Sequence, residues 1–110
     1  MRLALAAWIF VIMAEVPSHA ATVIGAGVDP CGRWLADTAA SNSPQALQDE
    51  QWVLGYLSAV GQHGGPEADP LKAVDASAVW TWIDHYCRAN PSARIADAAE
   101  AFNATHLHRP

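Results

Sequence analysis

"VDASAVWTWIDHYCRANP", residues 74–91, decides the fold. Asp75 suits the start of a helix, because a short carboxylate accepts hydrogen bonds from the free N–H groups of the first turn. Val74 before it and Val79 after it are spaced for a hydrophobic staple. Val79, Ile83, Tyr86 and Cys87 then recur at helical spacing on one inner face, while Thr81, Asp84, His85 and Arg88 fall outside it. Trp80 and Trp82 stand at opposite edges of that face, about 160° apart at roughly 100° per residue. Asn90-Pro91 closes the segment, since the residue before a proline is pushed out of the helical region. The stretch is a capped amphipathic helix that delivers one of the chain's two cysteines to the core.

The same signals repeat on both sides. Upstream, Asp29-Pro30 reads as N-cap and first helical position. Cys31, Trp34, Leu35 and Thr38 make one face of a short helix ending near Ala40. Ser43-Pro44 starts a longer helix that runs to about Gln62 and stops at Gly64-Gly65-Pro66. Its apolar stripe is Val53, Tyr56, Leu57 and Val60, flanked by Trp52 and Leu54, with Gln48, Gln51, Ser58 and Gln62 opposite. Residues 64–74 form a connector. Downstream, Ile95, Ala98, Ala99 and Phe102 give a fourth stripe. No segment alternates with period two for long enough to be a strand. The expectation is an all-α domain over residues 30–103, a small bundle of about four helices. A loose lead-in covers 21–29 and a polar tail 104–110.

The first twenty residues belong to something else. Arg2, an apolar run from Leu3 to Ala14, and Ser18-His19-Ala20 match a secretory signal peptide over residues 1–20. The run is short of the roughly 20 apolar residues that cross a bilayer. The expected location is therefore the periplasm, with no membrane attachment after cleavage. Cleavage would remove Arg2 and Glu15 together, so the net charge of −5 is unchanged. That acidic balance argues against nucleic acid, whose phosphates require basic residues.

Export places Cys31 and Cys87 where disulfides persist. An even count and wide separation favour one intramolecular bridge, Cys31–Cys87, over two competing readings. His85 and Cys87 resemble half of a metal site, but residues two apart on a helix point to different sides. A catalytic Cys-His pair has no orienting partner. No grouping of Ser, His and Asp resembles a catalytic motif, and the Gly25-Ala26-Gly27 stretch has neither the preceding strand nor the spacing of a phosphate loop. The chain is expected to be neither an enzyme nor a holder of cofactor or metal. Asp84 and His85 read as a solvated face, and Asp49-Glu50 and Glu67/Asp69 as surface charge. The tryptophans Trp52, Trp80 and Trp82 read either as wedges filling the core or as a surface for a partner or client protein, where Trp often anchors binding.

Cys31 in "CGRWL", the Trp52 to Tyr56 segment "WVLGY", the Gly64-Gly65 break and "IDHYCRANP" (residues 83–91) together resemble the HdeA/HdeB family of periplasmic acid-stress chaperones. The resemblance spans about residues 30–103. It implies a disulfide-bonded helical domain that is a homodimer at neutral pH and, without ATP, loosens in acid and holds unfolding periplasmic proteins. The charge balance is compatible with this: protonating His63, His85, His106 and His108 and then the carboxylates would carry the cleaved chain from −5 to about +10. The Gly-Tyr segment and terminal helix are also similar to exported immunity proteins that bind one folded type VI secretion effector. An exported binding module with no acid role is the third expectation.

Overall fold

A computed structural model of the chain describes residues 22–40 and 42–106, and the signal-peptide segment lies outside the described residues. Among the described residues, four helices follow one another: α1 (Cys31–Ala39), α2 (Pro44–Gly64), α3 (Ala76–Ala89) and α4 (Ile95–Thr105). Short 3-10 turns at Ala26–Val28 and Pro66–Ala68 precede α1 and follow α2. Among the described residues there is no strand, and none of the helices is long and apolar enough to cross a membrane.

The helix starts follow the expected chemistry with one correction. Ser43 Oγ accepts from Ala46 N–H at 3.0 Å, and Pro44 fills the first turn of α2, where its missing N–H is no loss. Asp75 Oδ1 accepts from Ala78 N–H at 2.9 Å at the start of α3. On α4 the reciprocal device sits inside the helix, where Asp97 Oδ2 accepts from Arg94 N–H at 2.9 Å. α1 differs: Pro30, not Asp29, is its N-cap, and no side chain caps it. The reason is a small tertiary pairing. Ile95 N–H donates to Asp29 C=O at 2.9 Å and Cys31 N–H to Ala93 C=O at 2.6 Å, across an antiparallel bridge between Pro30 and Arg94. The start of α1 is thus pinned to the loop that leaves α3.

That pinning places Cys31 beside Cys87. The two are disulfide-bonded with Cα atoms 4.9 Å apart, so α1 is covalently joined to α3. Around the bridge lie Trp34, Val53, Leu57, Val79, Ile83, Ile95, Ala98, Ala99 and Phe102, a single buried cluster to which every helix contributes. Each large aliphatic or aromatic side chain taken fully out of water there contributes about 2 kcal/mol. Asn42 closes the α1–α2 turn in the left-handed region (φ 64°), a conformation that asparagine tolerates better than most residues.

The segment expected to be loose, residues 21–29, is tied down over its described length. Trp52 Nε1–H donates to Ile24 C=O at 2.9 Å, and Gly27 is buried against the Trp52 ring. A Cβ at Gly27 would overlap that ring, so the Gly25-Ala26-Gly27 sequence serves close backbone approach to an indole.

Candidate functional site

The four tryptophans of the domain occupy three separate surroundings. Trp34 on α1 is fully buried, lies 5.7 Å from the Trp80 ring of α3, and donates its indole N–H to Asp84 Oδ1 at 2.7 Å. A buried indole needs a partner for its N–H, and α3 supplies it. Asp84 is therefore half-buried and engaged across the α1–α3 interface, which corrects its reading as part of a solvated face; His85 beside it is exposed.

Trp52 on α2 stacks on Tyr56 one turn later (5.7 Å between centroids, 10° between planes) and faces the lead-in. Trp82 on α3 stacks on Tyr86 and meets Phe102 of α4 edge-on at 5.4 Å. His106 continues this column, its ring 3.9 Å from Phe102 and its Nδ1 2.9 Å from the Phe102 carbonyl oxygen. Trp52, Trp80 and Trp82 are each half-buried, and no ring contact among the described residues joins any of them to another. All three are partly open to solvent, each in a different setting.

An open groove of about 610 Å³ lies where the lead-in meets α2, lined by Gly25, Ala26, Asp29, Gln48, Gln51 and Trp52. Among the described residues, the large apolar side chains that remain exposed, Ile24, Val28 and Leu47, are sequence neighbours of its walls.

Asp49 is the clearest departure from expectation. Read as surface charge, it is 3% exposed on the inner side of α2, in the same stripe as Ala46, Val53 and Leu57. Its Oδ2 has no hydrogen-bond partner. The carboxylates of Asp37 on α1 and of Asp29 lie near enough to act on it, and among the described residues Arg33 is the cation that opposes them. Burial first, then the hydrogen bond and charge of Asp37, push its carboxyl up to about 7. The signal was present in the sequence: residues 46, 49 and 53 extend the α2 stripe back by two turns at spacings of three and four. Composition hid it, because an Asp beside a Glu reads as solvent-facing.

Asp75 and Asp97 move the other way. Backbone and side-chain hydrogen bonds from Ala78 and Ser77 hold Asp75 below its ordinary value, and those from Arg94 do the same for Asp97. Among the described residues, no three His, Cys, Asp or Glu side chains converge closely enough to hold a metal ion, and Cys87 is engaged in the bridge. Comparison with known proteins finds no matching family model, no matching curated protein and no matching solved structure.

Proposed function

We propose that the chain is an exported, ATP-independent holdase of the HdeA/HdeB kind, which loosens in strong acid and binds unfolding periplasmic proteins. The observation that carries the reading is the way α3 and α4 begin. α3 starts on the carboxylate of Asp75 and the first turn of α4 holds that of Asp97; hydrogen bonds from Ala78 N–H and the Ser77 hydroxyl to the first, and from the Arg94 side chain and N–H to the second, hold both carboxyls below their ordinary value. A depressed carboxylate contributes stability that is present above its unfolded pKa and lost as pH falls through the folded one. Acid therefore removes the caps of the two helices that carry Val79, Ile83 and Phe102. The growing positive charge adds repulsion, and the Cys31–Cys87 bridge limits how far the chain expands. Trp80 and Trp82, half-buried on α3, are the first aromatic surface that such loosening offers a client. A homodimer at neutral pH, opening in acid, completes the proposal.

Asp49 sharpens the pH range. Its raised pKa means that its contribution is complete below the unfolded pKa and is lost as pH rises through about 7. Mild acid tightens the α1–α2 side, so loosening belongs below the ordinary carboxylate range.

A second reading has its own support. The groove beside Trp52, with Ile24, Val28 and Leu47 exposed around it, is available at neutral pH and suits a folded partner such as a secreted effector. One experiment separates the two: light scattering of an acid-labile protein at pH 2.5 and pH 7, with and without the oxidised chain. The holdase reading expects suppression of aggregation at pH 2.5 and none at pH 7. Absence of suppression at pH 2.5 removes it and leaves the neutral-pH partner.

A further inference from the structure

We propose that the groove between the lead-in and α2 is a docking site for a cationic, apolar segment of a partner protein, whose large apolar side chains rest on the two lips while an arginine or lysine reaches the carboxylate of Asp29. The inference rests on the neutral-pH reading of this groove and adds the chemistry of the partner.

Local structure sets the two lips. On α2, Leu47 and Gln51 stand one turn apart on one face, with Gln48 and Trp52 beside them in the same relation. On the lead-in, Ile24 precedes the 3-10 turn and Val28 ends it. Ile24 is 80% exposed, Leu47 51% and Val28 46%, and among the described residues these are the large apolar side chains left in water. Scattered singly they would need no explanation, but gathered around one cleft they mark a contact surface. The lead-in lip is held in place: Trp52 Nε1–H donates to Ile24 C=O at 2.9 Å, and Gly27 lies against the indole. The cleft is therefore formed before a partner arrives, which lowers the ordering cost of binding. Its volume of about 610 Å³ admits a few side chains of a segment and not a whole domain.

Charge selects the occupant. Asp29 is half-buried in the groove wall and, among the described residues, forms no salt bridge. The cations that the chain brings near it are committed elsewhere. Arg33 Nε lies 3.6 Å from Asp37, and Arg94, alongside through the Pro30–Arg94 bridge, lies 3.1 Å from Asp97. Gln48 and Gln51 line the groove with neutral amides, and no lysine or arginine lines it. A partly desolvated carboxylate without a counter-ion, set between apolar lips, is complementary to a cation flanked by large apolar groups. A second copy docking through the same face across a two-fold axis would set Asp29 against Asp29, which like-charge repulsion disfavours.

The test is fluorescence anisotropy at pH 7 and low salt, with the oxidised chain titrated into a dye-labelled peptide of alternating leucine and arginine. Two matched peptides carry glutamine or glutamate in place of arginine. The expected order of affinity is arginine, then glutamine, then glutamate. Asp29→Asn is expected to lower the affinity for the arginine peptide by about two- to fivefold and to leave the glutamine peptide unchanged. Leu47→Ser is expected to weaken all three. Both side chains lie outside the buried cluster, so neither change removes a core contact. Equal binding of the three peptides overturns the proposal. So does an arginine preference that survives Asp29→Asn, which assigns it to the overall charge of −5. A wild-type dimer that Leu47→Ser converts to monomer in sedimentation places a second copy in the groove and overturns it as well. If none of the peptides binds, the neutral-pH reading of the groove falls together with the proposal, whereas the other results leave that reading standing.

Discussion

The two sides of α1 are held by different physics. Towards α3, the helix is joined by a disulfide, a buried tryptophan, an indole–indole contact and the Trp34–Asp84 hydrogen bond. Towards α2, it meets Asp49, a carboxyl that burial and a second carboxyl keep from ionising freely. Both sides exclude water, and each helix adds apolar residues to one shared cluster. They differ in what the solvent can change. The disulfide fixes the first side, while the strength of the second is expected to depend on whether Asp49 carries its proton. A small domain with one core can thus have a permanent seam and an adjustable one.

The most disruptive way to break the comparison is to cut the permanent seam. Cys31→Ala with Cys87→Ala releases the chain between residues 56 apart in sequence, which is expected to cost about 4 kcal/mol in the loop-entropy account. Urea titration of the double variant against the oxidised chain measures this, and reduced wild type should match the variant. A change under about 1 kcal/mol would mean that the pairing of Pro30 with Arg94 holds α1 in place without the bridge.

Gly27→Ala acts on the α2 side without touching a carboxyl. The new Cβ meets the Trp52 ring, so the lead-in is expected to lift off at a cost of about 1–3 kcal/mol. Thermal melting and a red shift in tryptophan emission report it. The pH dependence assigned to Asp49 should survive in this variant. If it disappears, that dependence reflects general looseness around α2 and not the Asp49 carboxyl.

The smallest effect is expected from Asp75→Ala, which removes an exposed cap from α3. Its sign with pH is opposite to that of Asp49. The depressed pKa of Asp75 makes the loss visible at neutral pH, and the variant and wild type should converge as pH falls below the ordinary carboxylate range. A difference that persists in strong acid would assign the effect to helix propensity at that position.

Much of this architecture was legible in the sequence. The helices, the Ser43 and Asp75 caps and the glycine stop at Gly65 follow from local chemistry, which acts within a few residues and leaves its pattern in the chain, while the pairing of the cysteines followed from there being two of them, widely separated. The departures are all tertiary. Asp29 cannot be seen to lose its cap role until its carbonyl is found bonded to Ile95, far along the chain. Asp84 reads as outward-facing until Trp34 arrives with an N–H to satisfy. Asp49 lies on the buried stripe by spacing, yet a carboxylate at such a position is read as surface, because burying one requires a partner that only the folded chain reveals. For Trp52, Trp80 and Trp82, the sequence leaves open whether they fill the core or form a surface, because how far each is covered depends on which helix packs beside it; in the fold each is half-buried in a setting of its own.

The most direct measurement is a side-chain carboxyl carbon NMR titration of Asp49 in the oxidised chain, with the backbone amides of Arg33 and Asp37 followed alongside. A midpoint near 7 for Asp49, shared by the α1 amides, is the predicted result. A midpoint for Asp49 in the ordinary range near 4 would contradict it, and the seam between α1 and α2 would then be as fixed as the one between α1 and α3.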